Sequence, residues 1–160
     1  MSSLYFRGKA RYAGAFGRAA SGVKTAYVMT AGGGLLPLEE RVTLSRLRGW
    51  ASIAVHEDNP HFAAPLVRSA AILRHAHDAH TRFVLLGSVA SQKYTSPLLE
   101  VFGAGLLYPT DFEGRGDMSR GALLLAAVRQ ARELEYTPVS GRAERSVTPP
   151  RGVRTLARRS

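Results

Sequence analysis

The chain contains no cysteine, which excludes a disulfide framework, a thiolate zinc site and a nucleophilic thiol. Lysine is scarce, and Lys93 is the only one between residues 25 and 140. No stretch approaches the roughly 18 consecutive apolar residues of a membrane span. The first residues lack the apolar core of a secretory signal. Acid is missing from residues 1–24 and reduced to a single glutamate in residues 141–160. Together these absences point to a soluble, cytoplasmic protein of a reducing compartment with no membrane partner.

What is present fits one domain: 160 residues bury about two thirds of the unfolded surface without staples. The net charge of +10 is uneven. Residues 1–24 hold five basic side chains and residues 141–160 six arginines, while residues 25–140 balance 11 basic against 11 acidic groups. The expected organisation is a basic, aromatic-containing N-terminal arm (1–24), a single α/β domain (25–140) and a basic, flexible C-terminal tail (141–160). Basic ends can lie along a polyanion, because each neutralised phosphate releases counterions; the plainer alternative is solvated tails. In the N-terminal segment Tyr5, Phe6, Tyr12 and Phe16 interleave with Arg7, Lys9, Arg11 and Arg18, a mixture that stacks bases and tracks a phosphate backbone. An organelle transit peptide shares this composition, but Gly8, Gly14, Gly17 and Gly22 oppose the amphipathic helix it needs. Equally, Tyr12 and Phe16, four apart, suit a short helix packed on the domain.

Strands are expected at Thr25–Thr30, Trp50–Val55, Arg82–Ser88, Gly105–Pro109 and Leu134–Val139 from β-branched, aromatic and short apolar runs. Arg82–Ser88, the most hydrophobic, reads as a central strand buried on both faces. Helices are expected from Pro65, at the first turn of one, and after the loop at residues 112–117, where Leu124, Val128 and Ala131 form a stripe. Alternation of strands and helices predicts a three-layer, Rossmann-like α/β fold with a largely parallel sheet. In such folds ligands bind beyond the carboxyl ends of the strands.

Three loops follow predicted strands. The first offers Gly33 and Gly34 within "AGGGLLP", as an anion cradle or as a plain tight turn; its spacing fits neither a dinucleotide fingerprint nor a Walker loop. The second, "GSVASQKY", places Ser88, Ser91 and Lys93 as a clasp for phosphate or carboxylate, or as an ordinary connection. The third, "GRGDMSRG", sets Arg115, Gly116, Asp117, Ser119 and Arg120 around a helix N-terminus, which is already partly positive and favours acids. Arg115 and Arg120 then clamp an external anion with Ser119, and Asp117 or Glu113 is a candidate general base. In the structural alternative Asp117 caps the helix, Arg115 pairs with Asp111 or Glu113, and Arg120 is solvated. "HAHDAH" (His75–His80) suggests a metal site, but on one helix His75 and His77 diverge by about 200 degrees; no metal is expected.

From Phe83 to Tyr136, "LLGS", "KY", "PLLEVFG", an "LLYP" strand and "GRGDMSRG" resemble an uncharacterised family of bacterial conserved proteins. "GGGLLPLEERVTLSRL" and "DNPHFAAPLVRSA" are similar to its upstream half. The resemblance implies a single domain and supplies no catalytic residues or cofactor. The residues themselves point to binding of a phosphate-bearing ligand, a nucleotide or a nucleic-acid end, with phosphate-ester or glycosidic chemistry as the fitting reaction. The alternatives are a non-enzymatic nucleic-acid binder using its basic ends and a partner-binding protein without a small ligand.

Overall fold

A computed structural model describes residues 3–141; the tail beyond Gly141 lies outside the described residues. The chain opens with helix α1 (Ser3–Phe16), then a hairpin of β1 (Tyr27–Thr30) and β2 (Gly34–Pro37). The Thr30 hydroxyl closes its loop, accepting from the Gly33 N–H at 2.9 Å and donating to the Gly34 carbonyl at 3.0 Å. Helices α2 (Leu44–Ala51) and α3 (Pro60–His75) follow, then β3 (Phe83–Val84), α4 (Gln92–Phe102), β4 (Leu106–Pro109), α5 (Asp117–Arg129) and β5 (Tyr136–Pro138).

The sheets correct the expected architecture. The five strands form one two-stranded and one three-stranded sheet, order β3-β4-β5, with β3 parallel and β5 antiparallel to β4. Among the described residues there is no three-layer Rossmann-like sheet. Arg82–Ser88 contributes a two-residue edge strand, and the central strand is β4, buried along its whole length. The ladder ends where the Leu85 N–H reaches the Leu107 carbonyl at 2.8 Å; one residue later the Leu86 carbonyl accepts from the Tyr5 hydroxyl at 3.3 Å.

The strand expected at Trp50–Val55 is likewise absent. Thr43 accepts from the Arg46 N–H at 3.3 Å and starts α2, which runs through Trp50. Helix α3 begins five residues before Pro65, where the Asn59 side chain accepts from the His61 N–H at 3.1 Å and Pro60 takes the first turn.

Residues 3–16, expected in an arm, form a core helix that packs along α5. The contact is glycine to glycine. A Cβ added at Gly8 would lie 2.9 Å from the Gly121 carbonyl, and one at Gly121 3.0 Å from the Tyr5 Cα. Glycines that weaken α1 as an isolated helix therefore let the two backbones approach. Tyr5 and Tyr12 are buried with Phe112, Leu124 and Leu134 in the main core, while Arg7 and Arg11 stay exposed.

Candidate functional site

The loop before α5 is tied up by its own chain. Arg120 folds back so that Nε and Nη2 donate to the Phe112 carbonyl at 3.3 and 3.1 Å. Its Nη1 lies 3.8 Å from the Asp117 carboxylate, and its guanidinium sits 5.5 Å from the Phe112 ring centroid. Arg120 is not solvated: 12 % of its side chain is accessible. Arg115 is exposed and donates to the Ser119 hydroxyl at 3.0 Å. The two guanidinium groups thus hold different partners rather than one shared point. Gly116, not Asp117, is the N-cap, and no side chain caps the helix. Asp117 occupies the first turn, where its charge suits the dipole. Glu113 accepts from the buried Tyr108 hydroxyl.

The other two loops are also internally engaged. Gly33 and Gly34 face inward: a Cβ at Gly33 would meet the Trp50 ring, and one at Gly34 the Pro65 carbonyl and the Ser69 hydroxyl. Ser88 accepts from the Ala90 N–H at 3.4 Å. Ser91 is the N-cap of α4 without a side-chain capping bond. The Lys93 ammonium lies 5.0 Å from the Tyr94 ring centroid.

The space lies elsewhere. A cleft of about 910 Å³ opens between α1, the hairpin and residues 81–88, lined by two unbroken runs, 24–31 and 81–88. Successive strand residues point to opposite faces, so both faces of β1 contribute to this lining. Tyr5, Lys9, Tyr12 and Phe16 line it from α1, and Met29, Phe62, Phe83 and Leu98 make its walls largely apolar. Of the expected site residues, Ser88 and Asp117 line this cleft; Arg115, Ser119, Arg120, Lys93, Ser91, Glu113, Gly33, Gly34 and Gly116 do not. Asp117 is accordingly the only one of the two candidate bases to reach it.

Cations gather along the cleft: Arg18, within the basic and aromatic N-terminal segment, meets Arg82, which the sequence did not single out. Arg18, Lys24 and Arg82 are exposed along the cleft, and a smaller recess of about 440 Å³ shares Arg18, Arg82, Glu133 and Tyr136 with it. Arg18 lies 3.4 Å from Glu133 and Lys24 4.0 Å from Glu39. Arg82 has no acidic partner among the described residues. Lys9 stands over the Tyr5 ring at 4.4 Å; burial lowers its pKa, and Asp117 opposes that shift. The one sequence signal for Arg82 was its place directly ahead of the apolar run Phe83–Leu86.

A hydroxyl chain borders the recess. The Leu134 N–H donates to the Tyr12 oxygen at 2.8 Å, the Tyr12 and Tyr136 hydroxyls lie 2.7 Å apart, and Tyr136 donates to Glu133 at 3.0 Å. With the Tyr136 proton on Glu133, Tyr12 must donate to Tyr136. Burial raises the Tyr136 pKa well above the ordinary phenol value, and Tyr12 and Glu133 add to that; burial also raises Tyr5 and Tyr12. A pKa raised on folding contributes stability that is complete below the unfolded value and lost as pH climbs through the folded one. Stability measured by urea unfolding should therefore fall once pH passes about 10, and Tyr136→Phe should flatten that decline.

The histidines do not converge. Helix α3 ends at His75, the His77 ring packs edge-on to Phe83 at 5.6 Å, and Asp78 accepts from the His80 N–H at 2.9 Å. Among the described residues no group of three His, Cys, Asp or Glu could hold a metal, and no helix is long and apolar enough to cross a membrane.

Fold and site together define an α/β domain of two small sheets that meet across a cation-rimmed apolar cleft. Comparison with family models, curated proteins and solved structures returns no match.

Proposed function

We propose that the protein binds a phosphate-bearing ligand with an aromatic body, a nucleotide or a nucleic-acid end, in the cleft between α1 and the two strand edges. The observation that carries this reading is Arg82, an exposed guanidinium beside an apolar, aromatic-lined cleft and without an acidic partner among the described residues. Guanidinium matches phosphate oxygens in bidentate fashion, and aromatic walls suit a flat base. Arg18 and Lys24, each in an exposed pair, are available to exchange a carboxylate for phosphate at little cost. Exposed Arg7 and Arg11 extend the positive surface along α1, which favours a nucleic-acid end over a free sugar phosphate.

A thermal-shift screen over nucleotides, sugar phosphates and divalent metals tests this. Nucleotide at about 100 times its Kd should add about 2.7 kcal/mol of stability, read as a higher Tm. No shift with any nucleotide or phosphate sugar would remove the proposal.

A further inference from the structure

We infer that the outer edge of β1 reads the nucleobase through main-chain groups, chiefly those of Tyr27 and Met29; this rests on the nucleotide reading of the cleft. In an antiparallel ladder, residues alternate between facing the partner strand and facing away. The Leu38 N–H reaches the Ala26 carbonyl at 3.0 Å, and the register pairs Val28 with Leu36 and Thr30 with Gly34. Ala26, Val28 and Thr30 therefore bond to β2, and the N–H and C=O groups of Tyr27 and Met29 point away from it. Tyr27 sits opposite Pro37, which has no N–H to offer. Both residues line the cleft, and no other described residue takes their main-chain groups.

Donors and acceptors then alternate along one line at the cleft wall. A nucleobase carries a donor and an acceptor side by side on its pairing edge, and reading that edge is how proteins recognise unpaired bases. Tyr27 and Phe83 line the same space and add aromatic surface, with the Phe83 ring held in place by stacking on Phe102 at 4.2 Å. An extended peptide would also pair with a strand edge, but the exposed cations along the cleft, Arg18, Lys24 and Arg82, favour an occupant that carries phosphate.

The test is a ¹⁵N-resolved titration of the full chain with AMP, GMP, CMP, UMP, N6,N6-dimethyl-AMP and ribose 5-phosphate. The account expects nucleoside monophosphates to move the Tyr27 and Met29 amide resonances more than that of Val28, and to bind about tenfold more tightly than ribose 5-phosphate. Dimethylation, which removes a base donor, should weaken AMP. Met29→Pro deletes an outward N–H without breaking a bond to β2 and should weaken AMP while leaving ribose 5-phosphate unchanged. Equal affinity for AMP and ribose 5-phosphate, or unmoved Tyr27 and Met29 amides at saturation, would overturn the inference while leaving phosphate binding in place. Failure of every phosphate compound to bind, or an acidic peptide moving these amides when nucleotides do not, would overturn both readings.

Discussion

Replacing Tyr12 by alanine is expected to destabilise the protein by about 3–5 kcal/mol, the range for truncating a buried aromatic ring. The ring is 2 % exposed and packs on Phe16 with centroids 4.7 Å apart. Its hydroxyl joins the Leu134 N–H to Tyr136, so removal also strands a donor. Since domains are commonly stable by only about 5–15 kcal/mol, a loss of that size should be plain in urea unfolding or leave the variant unfolded. Tyr12→Phe separates the two contributions: it keeps the ring and should cost about 1–3 kcal/mol for the unsatisfied Leu134 N–H. A loss below about 1 kcal/mol for Tyr12→Ala would mean that α1 is attached loosely, as a basic arm would be.

Gly34→Ala is the second large effect, at about 2–5 kcal/mol from two causes. Gly34 has φ +68, a left-handed conformation that costs an L residue about 1–2 kcal/mol. The new methyl would also run into the Pro65 carbonyl and the Ser69 hydroxyl, and overpacking of this kind typically costs about 1–3 kcal/mol. Ser69 cannot simply swing away, because it accepts from the Leu35 N–H at 2.8 Å and donates to the Pro65 carbonyl at 2.9 Å. Gly14→Ala is the contrasting case. Gly14 lies in α1 with nothing within 4 Å of an added Cβ, so helix propensity alone applies and predicts a gain of about 0.5–1 kcal/mol. Chemical denaturation of both variants checks the pair, with opposite signs expected.

These cases show why parts of the fold were legible in the sequence and others were not. Strands β1, β4 and β5 and helix α5 lie within segments expected to form them, because a short β-rich run ending in glycine or proline, or a stripe at helical spacing, carries its own signal. Trp50–Val55 misled because the helix begun at Thr43 takes Trp50 and Ala51, and Ser52–Val55 continue as turn and irregular chain without a partner strand. The run at 82–88 misled more seriously: only Phe83 and Val84 join the sheet, no residue of the run is buried, and most of it borders the cleft across from α1 where a second strand was expected. Gly8 and Gly121, 113 positions apart in the chain, meet across a helix crossing that no local pattern announces.

The site follows the same logic. Arg115 and Arg120 were conspicuous because they sit beside a helix N-terminus, yet Arg120 stitches that helix to the Phe112 carbonyl and Arg115 meets Ser119. The cleft instead brings Arg82 to Arg18 and Lys24, which share the connection between α1 and β1, and long-range convergence of that kind is invisible to spacing.

The most direct test of the central claim is calorimetric titration of a nucleotide that stabilises the protein into wild type, Arg82→Ala and Arg115→Ala. A charge-assisted bond to phosphate is worth about 1.5–3 kcal/mol, so the account predicts that Arg82→Ala weakens binding about tenfold or more while Arg115→Ala leaves it unchanged. Loss of affinity in Arg115→Ala with Arg82→Ala unaffected would contradict it and return the ligand to the loop before α5.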